Sequence, residues 1–163
     1  MKEILLNHGK IAIVDDEDYD RLMAMGKWHY NNGYAIRSAP YKTSLGKWSS
    51  KTVFMHRIIM DAPKEMEVDH RWGDTLDNRK ENLRLCTHQQ NVCNRIHSNN
   101  TSGFKGVSWH KRDRKWQAKI KFNGIRLHLG YFNDKIEAAR VYNAAALQYQ
   151  GEFAKLNQIP ALP

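Results

Sequence analysis

Val68-Asp69-His70, followed by Asn82 and then Asn91, sets a carboxylate, an imidazole and two carboxamides within one short polar segment. Cleaving a phosphodiester requires an activated water, neutralised phosphate oxygens and an assisted leaving oxygen. An imidazole, whose unperturbed pKa lies near neutrality, suits the first task. Carboxylate and carboxamide oxygens are donors that Mg²⁺ accepts, and the ion serves the other two tasks as a Lewis acid. His70 is thus the candidate base, and Asp69, Asn82 and Asn91 are candidate oxygen ligands. Each has a plainer alternative: His70 as a satisfied polar residue against a hairpin, and the asparagines as turn, cap or surface residues. Neighbouring strand residues point to opposite faces, so Asp69 and His70 share a site only if a twist, bulge or strand end intervenes.

The elements that must position these groups follow from local pattern. Met66 to His70 reads as a short strand, residues 71–79 as a polar loop with Gly73 and the turn-prone Asp77-Asn78, and Leu83 to Cys86 as the returning strand. Thr87 can cap a helix predicted to run to about Arg95, which would carry Asn91 back over the hairpin. Upstream, residues 3–14 form a hairpin around Asn7-His8-Gly9. A helix follows, capped by Asp15 or Asp16, running through Met25 and closed by Gly26. Trp28 to Tyr30 and Tyr34 to Ile36 make a second hairpin around Asn31-Asn32-Gly33. Lys51 to Met60 reads equally as a strand or a short helix.

A chain of 163 residues accommodates one domain or two small ones. Its formal charge of +9 favours an anionic partner. The excess is local: residues 99–130 hold eight Lys or Arg against one acid, as expected of a docking surface. Cys86 and Cys93 have no CxxC partner, so neither a disulfide framework nor a cysteine zinc knuckle is indicated, and both read as small packed groups in a reducing compartment. No secretory leader or bilayer-spanning run is evident, which predicts a soluble cytoplasmic protein without a membrane partner.

Residues 97–103, rich in Asn, Ser, Thr and Gly, read as a linker. Three strands follow, Phe104 to Trp109, Trp116 to Phe122 and Ile125 to Leu129, with Asn123-Gly124 as a strong hairpin turn. Asp134 can cap a final helix whose Ala138, Ala139, Ala145 and Ala146 face permits close approach to the sheet, ending near Gly151. Alternation along the second strand turns Trp116, Ala118 and Ile120 inward and Gln117, Lys119 and Lys121 outward. Core packing is the plainer role for Trp109 and Trp116, and solvation for any single lysine. A basic ribbon of this kind can enter the major groove of DNA. No aromatic platform for unstacked bases points to RNA.

The text Glu67-Val68-Asp69-His70, Gly73-Asp74, Leu76-Asp77-Asn78-Arg79, Asn82-Leu83-Arg84 and Gln90-Asn91 resembles the HNH homing endonucleases of the phage and intron-encoded kind. The likeness extends upstream through His56-Arg57 to Asp15-Asp16. It implies a ββα-metal motif in which His70 activates water, Asp69 and Asn91 hold the metal, and Asn82 fixes the loop and helps orient the base. Asn91 stands where many HNH enzymes have His; an oxygen ligand there favours Mg²⁺ or Mn²⁺ over Zn²⁺. Trp72 departs from the smaller residues expected after the histidine. His88, one turn before Asn91, reads as a supporting or surface residue, and Arg84 as a phosphate contact or a packed strand residue.

Gly103-Phe104-Lys105-Gly106-Val107, Trp109, Trp116 to Ile120, Leu129-Gly130-Tyr131-Phe132, Glu137-Ala138-Ala139, Tyr142, Ala145-Ala146, Gly151 and Asn157 resemble the plant AP2/ERF DNA-binding domain. That resemblance implies a three-stranded sheet and helix with Lys105, His110, Lys119, Lys121, Arg126 and His128 facing DNA; the basic character of the turn separately makes Arg112 and Arg114 candidate DNA contacts. Base preference does not transfer, because several of these positions differ in the plant proteins.

Together the expectations are an α+β chain. A ββα-metal (HNH) nuclease domain with a β-rich N-terminal extension spans residues 1–96, a linker 97–102, and an AP2-like domain 103–158. The expected activity is metal-dependent, site-selective hydrolysis of duplex DNA in a phage-infected or bacterial cell. Nicking by a monomer with no obligate protein partner fits a single catalytic set. The competing expectation is a non-catalytic, sequence-specific DNA-binding or regulatory protein on an HNH-like scaffold.

Overall fold

The computed structural model describes residues 1–94 and 101–160; the predicted helix end at Arg95 and linker positions 97–100 fall outside them. The chain divides into two compact units, residues 1–88 and 89–163. It mixes helices with four small antiparallel sheets.

In the first unit, β1 (Lys2–Leu5) and β2 (Ile11–Val14) form the expected hairpin around residues 7–9, where His8 takes φ 57° and Gly9 φ 64°. α1 (Asp16–Ala24) follows, its first turn holding Asp16, Glu17 and Asp18 at the positive end of the helix dipole. Asp15 occupies the N-cap position without capping; its Oδ2 accepts from the backbone N–H of Lys80 at 2.8 Å. β3 (His29–Asn31), β4 (Tyr34–Lys42) and β5 (Trp48–Phe54) make a three-stranded sheet. The segment from Lys51 that read as strand or helix is both: β5 ends at Phe54 and α2 (Met55–Ile59) begins at once.

β6 (Glu67–His70) pairs antiparallel with β7 (Leu83–Cys86), Asp69 opposite Arg84 and His70 opposite Leu83. One core joins these elements: Ile4, Leu6, Ala12, Val14, Leu22, Trp28, Ala35, Met55, Ile59, Val68 and Leu83. Trp28 is 2% exposed and its indole N–H donates to Leu22 O at 2.9 Å, so its bulk is buried without an orphaned donor.

In the second unit, α3 (His88–Asn94), which begins on the last residue of the first unit, precedes β8 (Val107–His110), β9 (Lys115–Phe122), β10 (Ile125–Phe132) and α4 (Lys135–Gln150). The sheet order is β10-β9-β8. Asn123 and Gly124 both take positive φ, 48° and 79°, as a two-residue type I′ hairpin turn requires. Asp134 caps α4 by accepting from the Glu137 N–H at 3.0 Å. The alanine face expected on α4 is present: Ala138, Ala139 and Ala146 are 0% exposed and pack with Val107, Ala118 and Ile120 in two adjoining clusters. Ser102, expected in a linker, is buried instead, its hydroxyl donating to Val107 O at 2.8 Å.

Gly106 sits at φ +74°, and a Cβ there would lie 2.1 Å from the Tyr142 ring and 2.6 Å from Lys119 O. Gly106→Ala should therefore combine backbone strain with a backbone clash. A loss of at least about 2 kcal/mol from the unfolding free energy of the second unit is expected in chemical denaturation.

Candidate active site

The site is built where β6 ends. The ladder with β7 is regular to His70, with no bulge, and the chain then turns: the Gly73 N–H donates to His70 O at 3.0 Å, with Gly73 at φ 84°. Asp69 and His70 are thus the last two residues of the strand, Asp69 opposite Arg84 and His70 at the turn. Arg57 of α2 braces the approach to β6, donating to Met66 O at 2.8 Å, Ala62 O at 3.1 Å and Pro63 O at 2.7 Å.

His70 is buried with its Nε2 3.3 Å from Asn78 Oδ1. The Asn78 amide is oriented by its own Nδ2, which donates to Leu76 O at 3.1 Å, so Oδ1 is the atom presented to the imidazole. The arrangement places the proton of neutral His70 on Nε2 and its lone pair on Nδ1. The ring packs edge-on against His56, centroids 5.1 Å apart at 84°, and near Tyr34 at 6.1 Å. Burial lowers the His70 pKa below its usual 6.5, opposed by the Asn78 hydrogen bond and by Asp69, Asp74 and Asp77. His56 is pushed down to about 3, by burial first and then by His70 and Arg57. Its Nδ1 has no hydrogen-bond partner among the described residues.

Asp69 is buried, its Oδ2 accepting from Arg84 Nε at 2.9 Å and Nη2 at 2.7 Å. Arg84 is 8% exposed. The expected phosphate contact of Arg84 is therefore corrected: cross-strand pairing with Asp69 turns the guanidinium onto the carboxylate, away from any surface.

Asn82 is fully buried and stitches the loop between β6 and β7. Its Oδ1 accepts from the Trp72 N–H at 3.0 Å, and its Nδ2 donates to Asp74 O at 3.1 Å and Asp77 O at 2.7 Å. The residue whose side chain bonds His70 is Asn78, a turn position of the HNH-like text to which the sequence assigns no role of its own. Asp77 receives Arg79 through two bonds of 2.9 and 2.7 Å, which hold its carboxyl below the usual range. From outside, β2 clasps the loop: Ile13 N donates to Leu76 O at 2.9 Å and Asn78 N to Ile13 O at 2.8 Å. Asn91 lies half-buried on α3, a helix whose residues beyond His88 belong to the second unit.

On the second unit, cross-strand register sets Lys119 beside His128 and Lys121 beside Arg126, all exposed on one face of the sheet. Gln117 and Tyr131 continue that row, joined at 3.1 Å, and Gln117 is buried beneath it. Arg112 and Arg114 project from the β8–β9 turn, and His110 packs against Tyr131 with centroids 5.1 Å apart. Trp109 stacks edge-on with Trp116 at 5.1 Å yet remains 46% exposed, so it is only partly a core residue. Lys105 departs from expectation. Its backbone is held by Asn157 on both sides and its Nζ donates to Cys93 O, and burial lowers its pKa to about 8. That ammonium is turned inward and does not join the exposed basic row.

Cys86 and Cys93 are free thiols, and burial raises the pKa of both, Cys86 to about 11. No helix of the described residues is long and apolar enough to cross a membrane. Among the described residues, no group of three or more His, Cys, Asp or Glu could hold a metal ion. Asp69 nevertheless supplies an oriented hard-oxygen donor. Mg²⁺ commonly binds through one or two carboxylates, water and substrate phosphate rather than a complete protein cage, so the residues fit a partial site.

A carboxylate and an imidazole at a strand end, over a stitched polar loop, are groups of the kind that phosphodiester hydrolysis uses. The HNH endonuclease family model matches residues 53–93. An uncharacterized HNH endonuclease of Acanthamoeba polyphaga mimivirus is 32% identical over 160 residues, covering 95% of this chain and 80% of the relative. Protein 3.8 of Escherichia phage T7 is 31% identical over 94 residues, 57% of this chain and 77% of that protein. An ethylene-responsive transcription factor of Arabidopsis thaliana is 37% identical over 62 residues, 37% of this chain and 14% of its own length. The chain belongs to the HNH endonuclease family and is a nuclease, with an AP2/ERF-like C-terminal part. Membership implies DNA as substrate, and HNH nucleases generally depend on a divalent metal.

Two outcomes are expected. Asn82→Ala strands one N–H and two carbonyls inside the loop and should cost about 3 kcal/mol in denaturant unfolding. For His56, the unfolded chain takes up a proton below pH 6.5, whereas the folded state resists until about 3. Its stabilising contribution is therefore complete above 6.5 and is lost as pH falls towards 3. The slope approaches about 1.4 kcal/mol per pH unit at most. His56→Gln should flatten the measured dependence of unfolding free energy on pH in that window, leaving the smaller part due to His70.

Proposed function

We propose that the protein is a site-selective endonuclease that uses Mg²⁺ or Mn²⁺ to hydrolyse one phosphodiester of duplex DNA, with His70 as general base. The observation that carries this reading is the Nε2–Asn78 hydrogen bond, which leaves the lone pair of neutral His70 on Nδ1 at the end of β6. Nδ1 would accept a proton from the attacking water. Burial keeps the ring neutral, the state a base requires.

Asp69 and Asn91 would hold the metal, which supplies Lewis acidity at the scissile phosphate and leaving oxygen. Arg84 holds the Asp69 carboxylate in one orientation, so the ligand need not be ordered when DNA arrives. Asn82 keeps the loop, and through it Asn78, in place. The chain would act through a nuclease domain over residues 1–96 and an AP2-like binding domain over residues 103–158. In the latter, Lys119, Lys121, Arg126 and His128 would meet DNA through the sheet face, with Arg112, Arg114 and His110 at its edge. A monomer with one such site makes a nick in one strand.

Incubation of supercoiled plasmid with wild-type protein should give metal-dependent nicked circles, abolished by EDTA. His70→Ala should lower the rate by about 10²- to 10⁴-fold, and purified His70→Ala that nicks at the wild-type rate would remove the base assignment.

A further inference from the structure

β4 and β5 run on well past the sheet that anchors them. β3 pairs with β4 only from His29 opposite Ile36 to Asn31 opposite Tyr34, whereas β4 and β5 stay paired out to Lys42 opposite Trp48. Beyond Arg37 the hairpin is a ribbon of two strands, and from Ser38 to Thr52 every residue except the half-buried Ala39 and Thr43 is exposed. The turn is nevertheless formed: Thr43 N donates to Lys47 O at 2.9 Å, and Gly46 N to Thr43 O at 2.9 Å. An ordered ribbon without a core is marginal alone, and its open edges invite a partner.

Its side chains say which partner. Between Asp20 and Asp61 the sequence holds no acidic residue and seven Lys or Arg. Arg37, Lys42, Lys47 and Lys51 lie on the hairpin, and Lys42, Lys47 and Lys51 have no acidic partner among the described residues. The apolar groups are concentrated towards the tip, with Leu45 82%, Trp48 71% and Tyr41 42% exposed. Cross-strand register puts Lys42 with Trp48 on one face and Lys51 with Ala39 on the other, so both faces carry positive charge. The five residues from Ser38 to Lys42 extend about 17 Å at about 3.4 Å per residue. A two-stranded ribbon fits the major groove of duplex DNA, about 12 Å wide and about 8.5 Å deep.

We propose that the β4–β5 hairpin is a second duplex-DNA-binding arm, in the nuclease unit and separate from the basic sheet of the C-terminal unit. Lys42, Lys47 and Lys51 meet phosphates, and Leu45 and Trp48 contact sugar and base surfaces at the tip. The inference rests on the reading of the protein as a nuclease of duplex DNA, and deepens it by naming where the cutting unit itself grips.

Anisotropy of a labelled random-sequence duplex, titrated with salt in EDTA, tests it with the full-length protein. The triple variant Lys42→Ala/Lys47→Ala/Lys51→Ala should bind about tenfold more weakly than wild type. Its slope of log affinity against log salt should be shallower by up to about 2.7, three released counterions at about 0.9 each. Lys10→Ala/Lys27→Ala/Lys64→Ala removes the same charge from exposed positions off the hairpin and should stay near wild type. Both variants should keep the wild-type thermal unfolding transition, since all six lysines are exposed. Equal losses in the two variants, no duplex binding by wild type, or stronger hairpin-dependent binding to phosphatidylserine vesicles than to duplex would each overturn the arm. Plasmid nicking separates the two ideas. Hairpin-dependent binding without any cleavage removes the nuclease reading alone; cleavage and binding both untouched by the hairpin variant remove the arm alone.

Discussion

The side-chain amide of Asn82 is the fixture on which the active site depends. A polar loop between two short strands has backbone groups that the β6–β7 ladder cannot reach, and leaving them unpaired in the interior costs about 1–3 kcal/mol each. One buried carboxamide satisfies three of them, at Trp72, Asp74 and Asp77. The loop is thereby closed on itself at the point where β7 begins. Asn78 inherits its position from that closure, and the His70 tautomer from Asn78. A residue that does not itself touch the imidazole thus governs which nitrogen of His70 carries its lone pair.

Asp69 and Arg84 show a second economy of placement. Burying an isolated carboxylate is costly, and a paired one is tolerated when the geometry is good. Two donors on a single oxygen provide that geometry across the strands. Such buried pairs commonly contribute little net stability, but this one fixes the orientation of the carboxylate within the fold.

Much of this was legible in the sequence, for identifiable reasons. The strand, loop and strand around Asp69, His70 and Asn82 follow from local pattern, and the cross-strand alternation of Lys119 and Lys121 from simple periodicity. What escaped depended on distant partners. Arg84 read equally as a phosphate contact or a strand residue, because nothing in Leu83-Arg84-Leu85 reveals that Asp69 faces it. Lys105 read as a DNA contact, yet Asn157 holds its backbone and a carbonyl of α3 takes its ammonium. Asn78 looked like half of an Asp-Asn turn, and the His56 contact with His70 joins α2 to β6. Residues 37–50 carried too little hydrophobic alternation to announce a strand, because a ribbon with two wet faces has no reason to alternate.

The clasp between β2 and the loop, Ile13 with Leu76 and Asn78, has a temporal meaning as well. Its partners are more than sixty residues apart in sequence, so a large loop must close before they meet, and contacts of that span form late in folding. On a ribosome, the β1–β2 hairpin must wait for the loop that completes it. The loop that sets Asn78 against His70 is therefore complete only after most of the first unit has been made, so a nascent or truncated chain would hold His70 without the contacts that fix its ring.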